Sequence, residues 1–202
     1  TPRDSLATFP WSLSGGGASD LMDAIEERRQ GKLSDQLSLA GFVAITAEDD
    51  AFFLPDAACS RASIELSRPM VTGDVVRDYA TTPQTRTVFP YKGDLTTASR
   101  ESIPNIVRHL WPNRRVLQRR RRFGTLIEQI SYLEWHEFGE LYRDKLATPL
   151  SITFAFVATH NHFVLDRGGK VFKQSAPVIK LPEGATEDEH LRLLGVLNSS
   201  TA

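Results

Sequence analysis

The stretch Ser102–Phe123, SIPNIVRHLWPNRRVLQRRRRF, limits the folds open to this chain more than any other. No acidic residue falls between Glu101 and Glu128, whereas seven arginines do: Arg108, Arg114, Arg115, Arg119, Arg120, Arg121 and Arg122. Ile103, Val107, Leu110 and Leu117 recur at the spacing of one helix face, so the segment reads as an amphipathic helix whose apolar stripe must be buried. Ser102 suits its N-cap, Pro104 its first turn, Pro112 a kink or a split, and Gly124 its end. A guanidinium is a planar fork that fits phosphate or the guanine edge bidentately. A dense arginine face over one buried stripe is therefore a candidate DNA-contacting element; the alternative is an ordinary solvated helix face.

Balanced overall charge sharpens this feature. The 24 basic and 25 acidic side chains give a formal net charge of −1, so the basic run reflects segregation rather than a basic protein. Acids gather at Asp20–Glu27, Glu48–Asp56 and Glu183–Glu189. Segregation of this kind points to a polar partner on one surface. With 202 residues, 41% hydrophobic and 24% charged, the chain has the make-up of one soluble globular domain. A lone cysteine, Cys59, excludes an internal disulfide and fits a reducing, cytoplasmic compartment. No run approaches the roughly 20 apolar residues of a membrane span, so no membrane partner is expected. The missing initiator Met and the half-finished helical pattern LLGVLNSSTA at the end lead us to expect an excised piece of a larger protein.

Residues 1–18, with Pro2, Pro10 and Gly15-Gly16-Gly17, read as an entry linker to which Phe9 and Trp11 add apolar weight. Ser19 is expected to cap a short helix with acids first and Arg28 and Arg29 last. Residues 19–202 are expected to form a single α+β domain, a mixed or antiparallel sheet flanked by helices. Phe42–Thr46 and Ala51–Leu54 look like a hairpin around Glu48-Asp49-Asp50. Thr72 is expected to cap one or two helical turns, Thr87–Phe89 to form a strand, and Tyr91–Asp94 a turn with its lysine and aromatic outward. Ser151–Ala158 is the clearest strand. Phe163–Leu165 and Lys170–Phe172 are expected to pair as a hairpin, with Val178–Leu181 as another strand. Thr186 is expected to cap an acid-first helix carrying Leu191, Leu194 and Leu197.

Tests for enzyme chemistry leave little. Pro55-Asp56 followed by Glu65-Leu66-Ser67 echoes the carboxylate pattern of Mg²⁺-dependent nucleases, but Ser67 stands where the lysine would polarise water. His160 and His162 project to one side of an extended segment as a possible metal pair, yet no third ligand has a helpful spacing. The aromatic-basic mixture Trp135, His136, Phe138, Tyr142 and Arg143 could stack on bases or could equally be the apolar side of a covered segment. GxSxG, GxxxxGK[ST] and GxGxxG are all missing.

Four motifs in order, Val71–Tyr79 (VTGDVVRDY), Val88–Tyr91 (VFPY), Leu133–Glu137 (LEWHE) and Leu193–Ser199 (LLGVLNS), resemble the target-recognition region of class-gamma N6-adenine DNA methyltransferases, the TaqI-like and type IIG restriction–modification group. The segments Thr148–Phe172 and Ser175–Pro182 are most similar to the adenine-specific methyltransferases of phage-growth-limitation (BREX type 2) defence. That family's catalytic half carries an Asn-Pro-Pro-Tyr/Phe motif and a Gly-rich loop for S-adenosylmethionine, and neither occurs here. The resemblance thus implies a DNA-reading part with no cofactor of its own. Its partners would be double-stranded DNA, the catalytic methyltransferase domain of the same parent chain and further defence proteins, with S-adenosylmethionine used by the parent. The expected phosphate contacts are Lys92, Arg114, Arg115, Arg119, Arg120, Arg121 and Arg122. The expected base or groove contacts are Arg143, Lys170, Lys173, Gln174 and the His160-Asn161-His162 tip. Rival readings are a protein–protein docking module and the nuclease.

Overall fold

The computed structural model describes Ala7 and residues 18–199. Features noted at Pro2, Phe9, Pro10, Trp11 and Gly15-Gly16-Gly17, and the capping side chain of Ser19, lie outside the described residues. The chain forms two compact units, Thr1–Gln36 and Leu37–Ala202. In the first, helix α1 (Ala18–Arg28) places Asp20 in its opening turn and Arg28 in its last, the order its dipole favours. Glu26 in its last turn pairs at 2.5 Å with Arg29, the residue just past its end.

The second unit carries strands β1 (Leu39–Gly41), β2 (Ala44–Ile45), β3 (Phe53–Pro55), β4 (Ser67–Val71), β5 (Val76–Arg77), β6 (Ala80–Thr81), β7 (Thr85–Val88), β8 (Arg121–Arg122), β9 (Thr125–Leu126), β10 (Glu140–Leu141), β11 (Ser151–Phe154), β12 (Phe163–Asp166), β13 (Val171–Phe172) and β14 (Val178–Lys180). Its helices are α2 (Asp49–Phe52), α3 (Asp56–Arg61), α4 (Pro104–Leu110), α5 (Arg114–Arg119), α6 (Asp144–Ala147) and α7 (Glu187–Leu197). One four-stranded sheet, β1-β14-β11-β12, is antiparallel throughout. The other, β13-β4-β7-β3, is mixed, because β13 runs parallel to β4. This is the expected α+β class.

The larger core gathers around four rings. Phe138 meets Phe52 at 5.2 Å, Tyr91 at 5.5 Å and Phe89 at 5.9 Å, and Phe89 meets Tyr91 at 4.9 Å. Ile103, Leu110 and Leu117 of the expected stripe close over them together with Ile106, while Val107 packs half-buried against the same core. A second cluster, including Val43, Val71, Val164, Phe172 and Val178, is smaller.

Several elements depart from their sequence reading, each for a packing reason. Asp49–Phe52 is a helical turn rather than a strand. The turn brings the buried Phe52 ring to 5.2 Å from Phe138 in the main core. Phe53–Pro55 then pairs with β7, not with β2. Phe163–Asp166 and Val171–Phe172 do not form a hairpin but enter different sheets. Val171 and Phe172 are both buried, the mark of a strand covered on two sides. Tyr91, expected outward, is 2% exposed, and its hydroxyl oxygen accepts the Phe138 N–H at 2.8 Å. Thr72 precedes a single 3₁₀ turn, Gly73–Val75, without a side-chain cap.

The Ser102–Phe123 helix is broken at Pro112, as expected. The 3₁₀ turn Trp111–Asn113 separates α4 from α5. Two details differ. Ser102 does not cap α4; Glu65 does, its two carboxylate oxygens accepting the N–H groups of Asn105 at 2.7 Å and Ile106 at 3.1 Å. Nor does Gly124 end a helix. The helix stops at Arg119, and Phe123-Gly124 is the two-residue turn of the β8–β9 hairpin. The Thr186 reading holds in full: α7 opens with a reciprocal capping box between Thr186 and Glu189.

Arg120 explains why the helix stops. It is 5% exposed, and its guanidinium donates to the carbonyls of Thr46, Leu117 (3.0 Å), Trp135 (2.9 Å) and Glu137 (2.8 Å). Burial draws its pKa down to about 10. Placing the group at this depth pulls the backbone out of the helix. Arg120→Ala is expected to cost about 3–5 kcal/mol, because buried carbonyls lose their donor. Arg120→Lys should recover only part of this, since an ammonium has no fork. Urea unfolding measures both, and a loss under about 1 kcal/mol for the alanine variant would show that Arg120 holds nothing together.

His136 makes a second test. It is 1% exposed, Nε2 lies 3.3 Å from the Ala98 carbonyl, and Nδ1 has no partner. Burial holds its pKa below the ordinary imidazole value, outweighing the Ala98 carbonyl and the charges of Glu134 and Glu137. As pH falls below about 6.5, the unfolded chain takes up a proton that the folded one refuses. Stability present at pH 7 should therefore fall as pH drops below about 6.5. Urea midpoints that stay flat as pH is lowered would contradict the buried neutral imidazole.

Candidate nucleic-acid interface

Two helical segments and a hairpin present the arginine stretch. Because α4 and α5 turn Leu110 and Leu117 inward, Arg115 and Arg119 are left exposed. Arg114 is half-buried, its guanidinium 4.8 Å from the Trp111 ring and 5.9 Å from that of Trp135, and its Nε lacks a hydrogen-bond partner. Arg121 is exposed, and its Nη1 donates to the Gly124 carbonyl at 2.6 Å. Arg122 lies 5.8 Å from the Phe123 ring and 6.0 Å from Tyr132. Interleaved with these cations are exposed rings: Trp111 at 54%, Phe123 at 82% and Tyr132 at 76%. Phe123 and Tyr132 were not among the expected site residues. Their sequence signal was the Phe-Gly pair after four arginines, which reads as a turn once the helix is known to stop at Arg119.

Among the described residues, no ion pair engages Arg114, Arg115, Arg119, Arg121 or Arg122. The other expected contacts divide differently. Arg120 is a correction: it is 5% exposed and spends four of its five N–H groups on buried carbonyls, so it is out of reach of a phosphate. Arg143 donates to the Leu95 carbonyl at 2.8 Å and sits 3.4 Å from the buried Glu137 carboxylate. Lys170 is paired with Asp166 and Lys173 with Asp49. Lys92 and Gln174 are exposed. His160 and Asn161 are exposed, while His162 is half-buried, its ring edge-on to Tyr79 at 6.0 Å.

Lys170 belongs to a second basic site, a cleft of about 290 Å³ lined by Arg68, Lys145, Asp166, Lys170 and Lys180 among others. Its charges are held from within. Lys180, 3% exposed, donates to the carbonyls of Thr148 at 2.6 Å and Leu150 at 2.7 Å, and burial lowers its pKa to about 8. Lys145 donates to the Phe42 carbonyl at 2.8 Å. Arg68 stacks 4.3 Å over Phe89, and burial lowers its pKa too.

The nuclease pattern does not assemble. Glu65 spends both oxygens on α4, and Asp56 lies 3.6 Å from Arg86. Among the described residues, no group of three or more His, Cys, Asp or Glu side chains could hold a metal ion, and no helix is long and apolar enough to cross a membrane.

The residues that carried the resemblance build the fold. In VTGDVVRDY, Val71 and Val76 are buried, and a Cβ on Gly73 would collide with the Ser175 carbonyl. The VFPY residues Val88, Phe89 and Tyr91 belong to the main core. Glu137 of LEWHE accepts from the Thr97 hydroxyl at 2.7 Å and the Glu134 N–H at 2.8 Å. Asn198 of LLGVLNS clasps both backbone groups of Phe163 at 2.9 Å.

No family model matches the chain. The adenine-specific methyltransferase PglX of Streptomyces coelicolor is 40% identical to it over 195 residues. The match takes in 96% of this chain and spans 16% of that curated relative. The similarity falls on the methyltransferase family that the motifs resemble.

Proposed function

We propose that this chain is the DNA-reading part of an adenine-specific DNA methyltransferase, and that it grips double-stranded DNA through the run from Arg114 to Arg122, Arg120 excepted. One observation carries the reading. The cations of that run have no carboxylate partner among the described residues, whereas Arg86, Arg143, Arg167, Lys170 and Lys173 each have one. Unpaired guanidinium groups among exposed rings are the surface that phosphates and stacked bases reward. Similarity over nearly the whole chain to a protein named as an adenine-specific methyltransferase supports the choice of DNA over other anionic partners.

In this reading the division of labour follows from which groups are at hand. Arg115, Arg119 and Arg121 neutralise phosphates and set the position on the duplex. Lys92 keeps an exposed ammonium for a phosphate, and Gln174, His160 and Asn161 keep exposed polar groups for base edges, with His162 half-buried behind them; Arg143, Lys170 and Lys173 reach DNA only by leaving their carboxylates. Adenine flipping, methyl transfer to N6 and S-adenosylmethionine binding belong to another part of the parent protein, since the Asn-Pro-Pro motif is not in this sequence. A second reading, a docking surface toward that part, has its own support: Phe42 and Phe156 meet edge-on at 5.5 Å while both are exposed, beside Val157 at 85% exposure.

The test is the salt dependence of binding. Arg115→Ala and Arg119→Ala should each weaken binding to all duplexes alike and lower the slope of log K against log salt by about one unit, without changing the unfolding midpoint. Anisotropy titrations of labelled duplexes at several salt concentrations read this. Unchanged slopes in both variants would remove the phosphate role, and an unperturbed slope for the intact chain near zero would remove the DNA reading itself.

A further inference from the structure

The β8–β9 hairpin ends in a side chain the fold does not use. Phe123 and Gly124 both take positive φ, 47° and 85°, as a two-residue type I′ turn demands. At the first of these positions asparagine, aspartate or glycine is favoured, and a bulky aromatic is out of place. Among the described residues only Val157 is a more exposed large apolar side chain than Phe123, at 82%. Among the described residues its ring pairs with no other aromatic ring; its recorded contact is the Arg122 guanidinium at 5.8 Å. A conformation that disfavours phenylalanine, together with exposure that disfavours it again, calls for a use outside the chain.

Its neighbours say what kind of partner that is. Arg121 and Arg122 precede it in β8, Arg121 bracing the turn through the Gly124 carbonyl at 2.6 Å. Tyr132, 76% exposed, shares the Arg122 guanidinium at 6.0 Å. No acidic residue lies within the sequence from Ser102 to Ile127. An apolar ring at the tip of a narrow two-stranded hairpin, with a guanidinium on its stem for the flanking phosphate, has the form of a side chain that enters a base step. We infer that Phe123 is a wedge that inserts into the base stack of double-stranded DNA and locally unstacks it. This rests on the DNA reading above and adds a distinct act to it: the arginines hold the backbone, and the ring opens the stack.

Unstacking unwinds the helix, which gives a readout that does not need the target sequence. Closed circular plasmid is relaxed by topoisomerase in the presence of the 202-residue chain, then freed of protein. The wedge should leave a deficit in linking number that grows with protein added. Phe123→Asn suits the turn better than the native residue, so its thermal midpoint should be equal or higher. It should keep the salt slope of the parent chain, lose about tenfold in affinity and abolish the linking deficit. Phe123→Trp should restore it. Binding by the native chain with no linking change, or an undiminished deficit in the asparagine variant, overturns the wedge and leaves the DNA reading intact. Failure of the native chain to bind plasmid at all overturns both.

Discussion

The guanidinium of Arg120 reaches carbonyls at Thr46, Leu117, Trp135 and Glu137, segments that no single sheet or helix joins. Buried carbonyls at loop ends must find donors, and a planar group with five N–H bonds can supply several at once. It lies 5.4 Å from the Phe52 ring, at the edge of the aromatic cluster formed by Phe52, Phe89, Tyr91 and Phe138. Everything on the interface follows from this placement. With Arg120 pulled inward, α5 must end at Arg119, and the residues after it can reverse only through a tight turn. That turn is what lifts Phe123 away from the body of the unit.

The same packing ties down several other cations. Arg143, Lys170 and Lys173 lie beside the carboxylates of Glu137, Asp166 and Asp49, and Lys180 is absorbed by two carbonyls. Those charges hold loops in place. Around α5 and the hairpin no carboxylate lies in the sequence to do the same; Arg114 and Arg122 rest on rings, Arg121 on the Gly124 carbonyl, and Arg115 and Arg119 stay exposed. A ring restrains a guanidinium without neutralising it, which leaves the charge available to an anion.

Local signals in the sequence were reliable where one element decided its own form. Thr186 and Glu189 make their capping box, Pro112 breaks the long helix, and the run expected as a strand from Ser151 to Ala158 makes β11 over its first half, Ser151–Phe154. They misled where a partner far along the chain decided. Phe52 went helical to reach Phe138, Val171 and Phe172 left the expected hairpin for β4, and Glu65 displaced Ser102 as the cap of α4. The motifs behind the family resemblance were legible for a related reason: Gly73, Tyr91, Glu137 and Asn198 are bound by contacts that admit few substitutes. They mark the scaffold, not the surface that would read DNA.

The sequence by itself determined the α+β class, the burial of one stripe between Ile103 and Leu117, and the gathering of arginine into a stretch without acids. Periodicity and charge order are properties of neighbours along the chain, so they survive without coordinates. Only the tertiary structure decided which arginines face outward. Arg119, Arg120 and Arg121 are equivalent as letters, and their fates differ because one guanidinium was needed to satisfy carbonyls brought together from distant segments. Where a buried polar group must be matched by another far along the chain, the match exists only after the chain has folded.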